Sequence, residues 1–191
     1  MVALVAIMQD EGEYVPRWLA GWARFKDCFA EAAVLDGGSQ DATVDLLESA
    51  GVRVETHPFE RDFAKQRNLA VAYTTADWIL HIDADELLSV PLLAGLEAIV
   101  QNCDESGVDV VGIPRLNFHG FRLQAGVGSR GLDYQYRLHR RHCRWVGRVH
   151  EEIVGYKARI ELNMLDGHFI GHYKDQERHE RRNAFYEEMA R

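Results

Sequence analysis

Cysteine is scarce in this 191-residue chain: Cys28, Cys103 and Cys143 are odd in number, far apart and form no C-x-x-C pair. That argues against a disulfide framework and a structural zinc site, and for a reducing compartment. No stretch approaches the roughly 18 consecutive apolar residues that span a bilayer. The opening run Val2 to Met8 is too short for a secretory core, and Asp10 and Glu11 follow at once. A cytoplasmic protein is expected. A basic excess is also missing. With 22 Lys and Arg against 30 Asp and Glu, the net charge is -8, which argues against a nucleic-acid partner. A single diphosphate group stays open, because it needs only a metal and one or two local cations. Proline is limited to four residues, and no repeat, low-complexity tract or linker divides the chain. One domain over residues 1–191 is therefore expected.

What is present first is a rhythm. Val2 to Met8 is a continuous apolar run of the kind buried on both faces of a parallel sheet. A helix carrying Val15, Leu19, Trp22 and Phe25 follows, then a strand over Ala32 to Leu35 and a helix capped by Ser39 or Asp41 and stopped by Gly51. Val52 to Thr56 is a third strand, Phe63 to Tyr73 a helix, Trp78 to Ile82 a fourth strand and Val90 to Val100 another helix. This alternation predicts an α/β fold with a mostly parallel central sheet flanked by helices. Beyond residue 103 the pattern changes. Strands over Val108 to Leu116, Tyr134 to His139, Lys157 to Leu162 and His168 to Tyr173 suggest a mixed or antiparallel extension, closed by a charged helix from Gln176 to Met189.

The most telling segment is Trp78-Ile79-Leu80-His81-Ile82-Asp83-Ala84-Asp85-Glu86. A buried strand cannot hold unpaired carboxylates, because desolvating an ion costs several kcal/mol. Asp83 and Asp85 must stand where the strand emerges. Two readings are open there: a site for a hard divalent cation, or an acidic turn that caps the helix near Val90. Asp10 and Asp36 also stand just past predicted strands, at the sheet edge where parallel α/β folds bind ligands.

Five segments together resemble the family 2 glycosyltransferases of the GT-A fold, in particular small bacterial members that build surface polysaccharides or the lipopolysaccharide core. They are Ala6-Ile7-Met8-Gln9-Asp10-Glu11, Leu35-Asp36-Gly37-Gly38-Ser39-Gln40-Asp41-Ala42-Thr43, Phe63-Ala64-Lys65-Gln66-Arg67-Asn68, Asp83-Ala84-Asp85-Glu86, and Arg144-Trp145-Val146-Gly147-Arg148-Val149-His150-Glu151 with His172 beyond it. One departure stands out: many relatives carry a second acidic residue where this chain has Gly37.

The resemblance implies a nucleotide-binding half over residues 1–103 and an acceptor-binding half over residues 104–191. It implies transfer of a sugar, with inversion, from a nucleoside-diphosphate donor (a UDP-sugar first) to a hydroxyl of a glycan or lipid-linked acceptor. Mn²⁺ or Mg²⁺ would bridge the diphosphate. Asp85 is the first choice for metal ligand, with Asp83 and His172 as further ones. Asp10, Asp36, Arg67, Lys65 and Asp83 are the donor-binding candidates; of Lys65 and Arg67, which do not share a helix face, the resemblance favours Arg67. A general base is required near the acceptor, and Glu151, Glu152 and His150 compete for it. Arg137, Arg140, Arg141, Arg144 and Arg148 crowd one region and would serve either as a solvated face or as a docking face for anionic acceptor or weak peripheral membrane contact. A homo-oligomer stays open. The rival functions are a sugar-phosphate nucleotidyltransferase, disfavoured because Gln9-Asp10-Glu11 replaces the usual Gly-rich basic loop, and a binding module without turnover.

Overall fold

The computed structural model describes residues 1–119, 122–123, 133–174, 185 and 188–189. Twelve strands and four α-helices are present among them: β1 (Val2–Met8), α1 (Val15–Phe25), β2 (Glu31–Asp36), α2 (Thr43–Ser49), β3 (Arg53–Thr56), α3 (Phe63–Ala72), β4 (Trp78–His81), β5 (Glu86–Leu88), α4 (Val90–Ser106), β6 (Val110–His119), β7 (Arg122–Leu123), β8 (Asp133–Arg140), β9 (Arg144–Val146), β10 (Glu152–Val154), β11 (Arg159–Glu161) and β12 (Ile170–Lys174).

The main sheet runs β3-β2-β1-β4-β8-β6-β12-β5, with β7 and β11 also on β6. Its first four strands are parallel. The second half enters antiparallel, β8 lying between β4 and β6, whereas β12 is parallel to β6 and antiparallel to β5. This is the mixed extension that the change of pattern after residue 103 implies, and one sheet passes through both halves.

The apolar run of β1 has a direct reason. Side chains alternate across a strand, and the sheet is covered on both sides. Val2, Leu4, Ala6 and Met8 join a core with Trp18, Leu47, Leu92 and Leu96. Ala3 and Val5 join a second core with Leu35, Ala70, Val71 and Ile79. Helix ends follow their caps. Asp62 Oδ1 accepts from Lys65 N at 2.8 Å to start α3. Ser89 Oγ accepts from Leu92 N to start α4, which continues past Val100 until Gly107 closes it with φ 71°. Ser89 caps this helix, so the acidic turn before it is left for other work. The cap position of α2 is Ala42, not Ser39 or Asp41, but Asp41 Oδ1 accepts from Thr43 N at 2.9 Å just inside it.

Four short strands escape the sequence reading: β5, β7, and the antiparallel hairpin of β9 and β10. The predicted closing helix lies largely outside the described residues, though Phe185, Glu188 and Met189 are helical and Met189 is buried. Among the described residues no helix is long and apolar enough to cross a membrane.

Candidate active site

A cleft of about 550 Å³ opens along the carboxyl ends of β1, β2 and β4, lined among others by Gln9, Asp10, Gly37, Arg67, Asp85 and Glu151. Its floor is ionic. Arg137 on β8 grips Asp83 with both terminal nitrogens, Nη1 to Oδ1 at 3.0 Å and Nη2 to Oδ2 at 2.7 Å. Sheet register explains the meeting: Leu138 lies opposite Leu80, so Arg137 falls beside the end of β4, just before Asp83. Arg67 on α3 donates from Nη2 to Asp83 Oδ1 at 3.1 Å and from Nε to Glu151 Oε1 at 2.7 Å. Burial alone would raise the Asp83 carboxyl, but the Arg137 and Arg67 charges outweigh it and hold it well below the usual carboxylate range. Glu86 closes the turn from behind, Oε2 accepting from Asp83 N at 3.0 Å. Asp83 is therefore committed to two guanidiniums.

Asp85, two residues on, has a different neighbour. Strand β12 lies against β5 with His172 opposite Glu86, and Tyr173 N donates to Asp85 O at 2.9 Å. This places His172 Nε2 3.2 Å from Asp85 Oδ2, both side chains being buried. The other ring nitrogen, Nδ1, lies 2.9 Å from Asn117 Oδ1. When Nδ1 donates there, the Nε2 lone pair faces a carboxylate oxygen, an acceptor against an acceptor, and a positive charge between them relieves it. The donor set suits a divalent ion: a carboxylate oxygen, and an imidazole nitrogen oriented by an amide behind it. Among the described residues no group of three or more His, Cys, Asp or Glu converges as a closed metal cage. An ion held by these two side chains would keep positions open for phosphate oxygens, as such ions prefer.

The rim is a mesh of carboxylates met by neutral donors. Asp36 Oδ2 accepts from Gly38 N at 2.9 Å and Ser39 N at 3.0 Å, and Oδ1 accepts from Ser39 Oγ at 2.5 Å. Ser39 Oγ in turn accepts from Asp10 N at 2.8 Å, and Asp10 Oδ1 accepts from Gln40 N at 2.7 Å. Thr43 and Asp41 take up Glu11 N and Gly12 N in the same way. The Asp-Gly-Gly-Ser-Gln-Asp-Ala-Thr segment thus holds the loop after β1, with Asp10 at φ 52°, and Asp36 is buried within its own turn.

The remaining candidates separate. Lys65 leaves the cleft and pairs with Glu60 at 2.6 Å on the surface. Glu151 sits not on a strand but in the turn between β9 and β10, where Gly147 (φ 94°) and His150 (φ 55°) reverse the chain. That reversal aims Glu151 at Arg67, while His150 and Glu152 are exposed. The arginine run disperses too. Arg137 is buried in the floor, Arg140 pairs with Asp104, and Arg141 bonds Thr74, leaving Arg144 and Arg148 as its exposed members. Arg137 is the residue that sequence reasoning missed as part of the site. Its signal is a charged side chain inside the Tyr-Arg-Leu-His strand, where a solvated face would not bury it.

Beneath the floor lie His81 and His139, stacked at 5.3 Å, with Trp145 edge-on to both. Burial, then the neighbouring His139, push His81 well below its ordinary value, and burial pushes His139 down to about 4. Arg67 lies over the Trp145 ring at 5.3 Å.

Known proteins are similar to parts of this chain. The SPbeta prophage-derived glycosyltransferase SunS of Bacillus subtilis is 29% identical over 142 residues, covering 73% of this chain and 32% of SunS. The TPR repeat-containing protein Synpcc7942_0270 of Synechococcus elongatus is 44% identical over 87 residues, 46% of this chain and 21% of its own length. The chain thus spans a third or less of these relatives. The crystal structure of S. aureus TarS 1-349 in complex with UDP-GlcNAc superposes with a TM-score of 0.52 at 21% identity, over 63% of this chain and 36% of that one, a likeness of fold. The description "Glycosyl transferase family 2" matches residues 4–162, and the chain belongs to that family.

Proposed function

We propose that this domain transfers a sugar from a nucleoside-diphosphate donor, first of all a UDP-sugar, to a hydroxyl of a glycan or lipid-linked acceptor. The observation that carries this reading is the meeting of Asp85 and His172 at 3.2 Å beside a cleft that also holds Arg67. UDP-GlcNAc in the TarS complex supports uridine as the carrier.

A divalent ion held by Asp85 and His172, manganese more readily than magnesium given the imidazole, would supply Lewis-acid charge to the leaving diphosphate. Arg67 presents a further donor: its Nη1 is buried and has no hydrogen-bond partner among the described residues, so a ligand oxygen in the cleft completes it. Asp83 and Arg137 keep that guanidinium in place. Glu151, bonded through Oε1 to Arg67, keeps Oε2 for the acceptor hydroxyl. It is the assigned base for a single displacement with inversion, ahead of the exposed Glu152 and His150.

A thermal-shift titration tests the site. With UDP at about 100 times its dissociation constant and Mn²⁺ present, stabilisation is about 2.7 kcal/mol, a rise of roughly 5–10 °C for a domain of this size. Asp85→Ala should lose this rise and keep the ligand-free melting temperature within a few degrees. Equal stabilisation of both proteins would remove Asp85 from the metal. Sugar release from the donor, assayed beside it, separates a transferase from a binder.

A further inference from the structure

Gly37 faces the cleft, and its backbone is not in the left-handed region. Space, not conformation, is what glycine provides. A Cβ there would lie 3.0 Å from Gln9 Oε1, 3.1 Å from Gln9 Cβ and 3.3 Å from Phe59 Cβ, and the backbone cannot retreat. Gly37 N donates to Met8 O at 2.7 Å, and Gly37 O accepts from Phe59 N at 3.0 Å. The room that an acidic side chain would need at position 37 is thus filled by the Gln9 side chain. Gln9 is exposed to the cleft, and its amide bonds no described residue. The neighbouring polar side chains Asp36, Ser39, Gln40, Asp41 and Thr43 are by contrast engaged within the turn.

Position tells what this amide meets. In the strand order β2-β1-β4, Gly37 follows β2 and Asp85 follows β4, two strand spacings or about 10 Å apart. One cleft is lined by both Asp85 and Gly37, so a nucleoside whose diphosphate sits at Asp85 has room to reach Gly37. Phe59 and Phe63, 4.8 Å apart, with Phe185 beside Phe59, make an aromatic wall of this part of the cleft, and stacking on such a wall does not depend on base type. Base choice then falls to the edge, and Gln9 offers an amide there that can both donate and accept.

We infer that Gln9 reads the nucleobase edge in the place left by Gly37, and that it does so permissively, so that uridine and cytidine diphosphates bind alike. A carboxylate only accepts; it suits the N3–H of uracil and repels the bare N3 of cytosine. An amide both donates and accepts, and turning over exchanges the two. It can give Oε1 to uracil N3–H and Nε2–H to O4, or Nε2–H to cytosine N3 and Oε1 to the cytosine amino group. The two bases have the same size, so comparing them isolates the edge.

This inference rests on the proposed donor site, and calorimetric titration of UDP and CDP in the presence of Mn²⁺ distinguishes the two. For the wild type the two dissociation constants should agree within about tenfold. Gln9→Glu should shift the ratio toward UDP by about tenfold or more, the size of one hydrogen-bonded edge contact. Gln9→Ala should weaken both ligands without creating a preference. Gln9 is exposed, so both variants fold. A wild-type preference for UDP beyond tenfold, or a ratio that Gln9→Glu leaves unchanged, overturns the inference and leaves the donor site standing. Failure of the wild type to bind either nucleotide overturns the donor site itself.

Discussion

At the floor of the cleft, Asp83 meets two guanidiniums between 2.7 and 3.1 Å, and Arg67 and Arg137 are buried. At the rim, Asp36 is more deeply buried than Asp83 but meets only a hydroxyl and two backbone amides. The first arrangement joins three distant segments through charge; the second joins neighbours in sequence through neutral donors. The difference teaches what each region tolerates. Removing one partner from a buried ion network leaves an uncompensated charge, whereas removing a hydroxyl from a turn loses a single bond. Fixed geometry is concentrated where the diphosphate is proposed to sit, and latitude where the base is read.

The comparison breaks first at Arg137. Arg137→Met keeps most of the side-chain volume but strips Asp83 of its bidentate partner, and should cost about 3–5 kcal/mol in urea unfolding. A loss below 1 kcal/mol would mean that Arg67 alone suffices. Next comes acid. His139, held near 4, and His81, held lower than usual, stay neutral in the folded chain while the unfolded chain protonates near 6.5. The unfolded state therefore binds more protons as pH drops, and stability is lost from about pH 6.5 down to about 4. His139 alone accounts for about 3 kcal/mol of that fall, and His139→Phe should flatten the slope in this window.

Smaller effects lie at the rim. Ser39→Ala removes the hydroxyl that bridges Asp36 and Asp10 and should cost about 1 kcal/mol, with UDP affinity falling as the loop after β1 loosens. A change confined to stability, with affinity untouched, would show that this loop does not meet the ligand. Smallest of all, Lys65→Ala should change stability by less than about 0.5 kcal/mol, because the pair with Glu60 is exposed, and should leave UDP binding unchanged.

Much of this was legible in the chain, and the failures have physical reasons. Strands β1 and β4 announce themselves because a parallel strand covered on both faces must be apolar throughout and must stop where carboxylates begin. Asp85 and His172 entered together through the resemblance, yet their meeting depends on β12 pairing with β5, a three-residue strand too short to show periodicity. Asp36 illustrates a real degeneracy: the residues that make a tight Asp-Gly-Gly-Ser turn are those that would bind a sugar hydroxyl. Arg137 is hidden for another reason. Read along the chain it is one of five arginines, and only the register between β4 and β8 distinguishes it from Arg140, three positions later.

Asp83 and Arg137 are 54 residues apart, one from each half of the sheet. During synthesis Arg67 precedes the carboxylate but Arg137 follows it, so the first half of the sheet cannot complete this floor on its own. A fragment ending near residue 103 would leave Asp83 with Arg67 alone and without its bidentate partner Arg137, and cutting the chain there yields an unfinished fold.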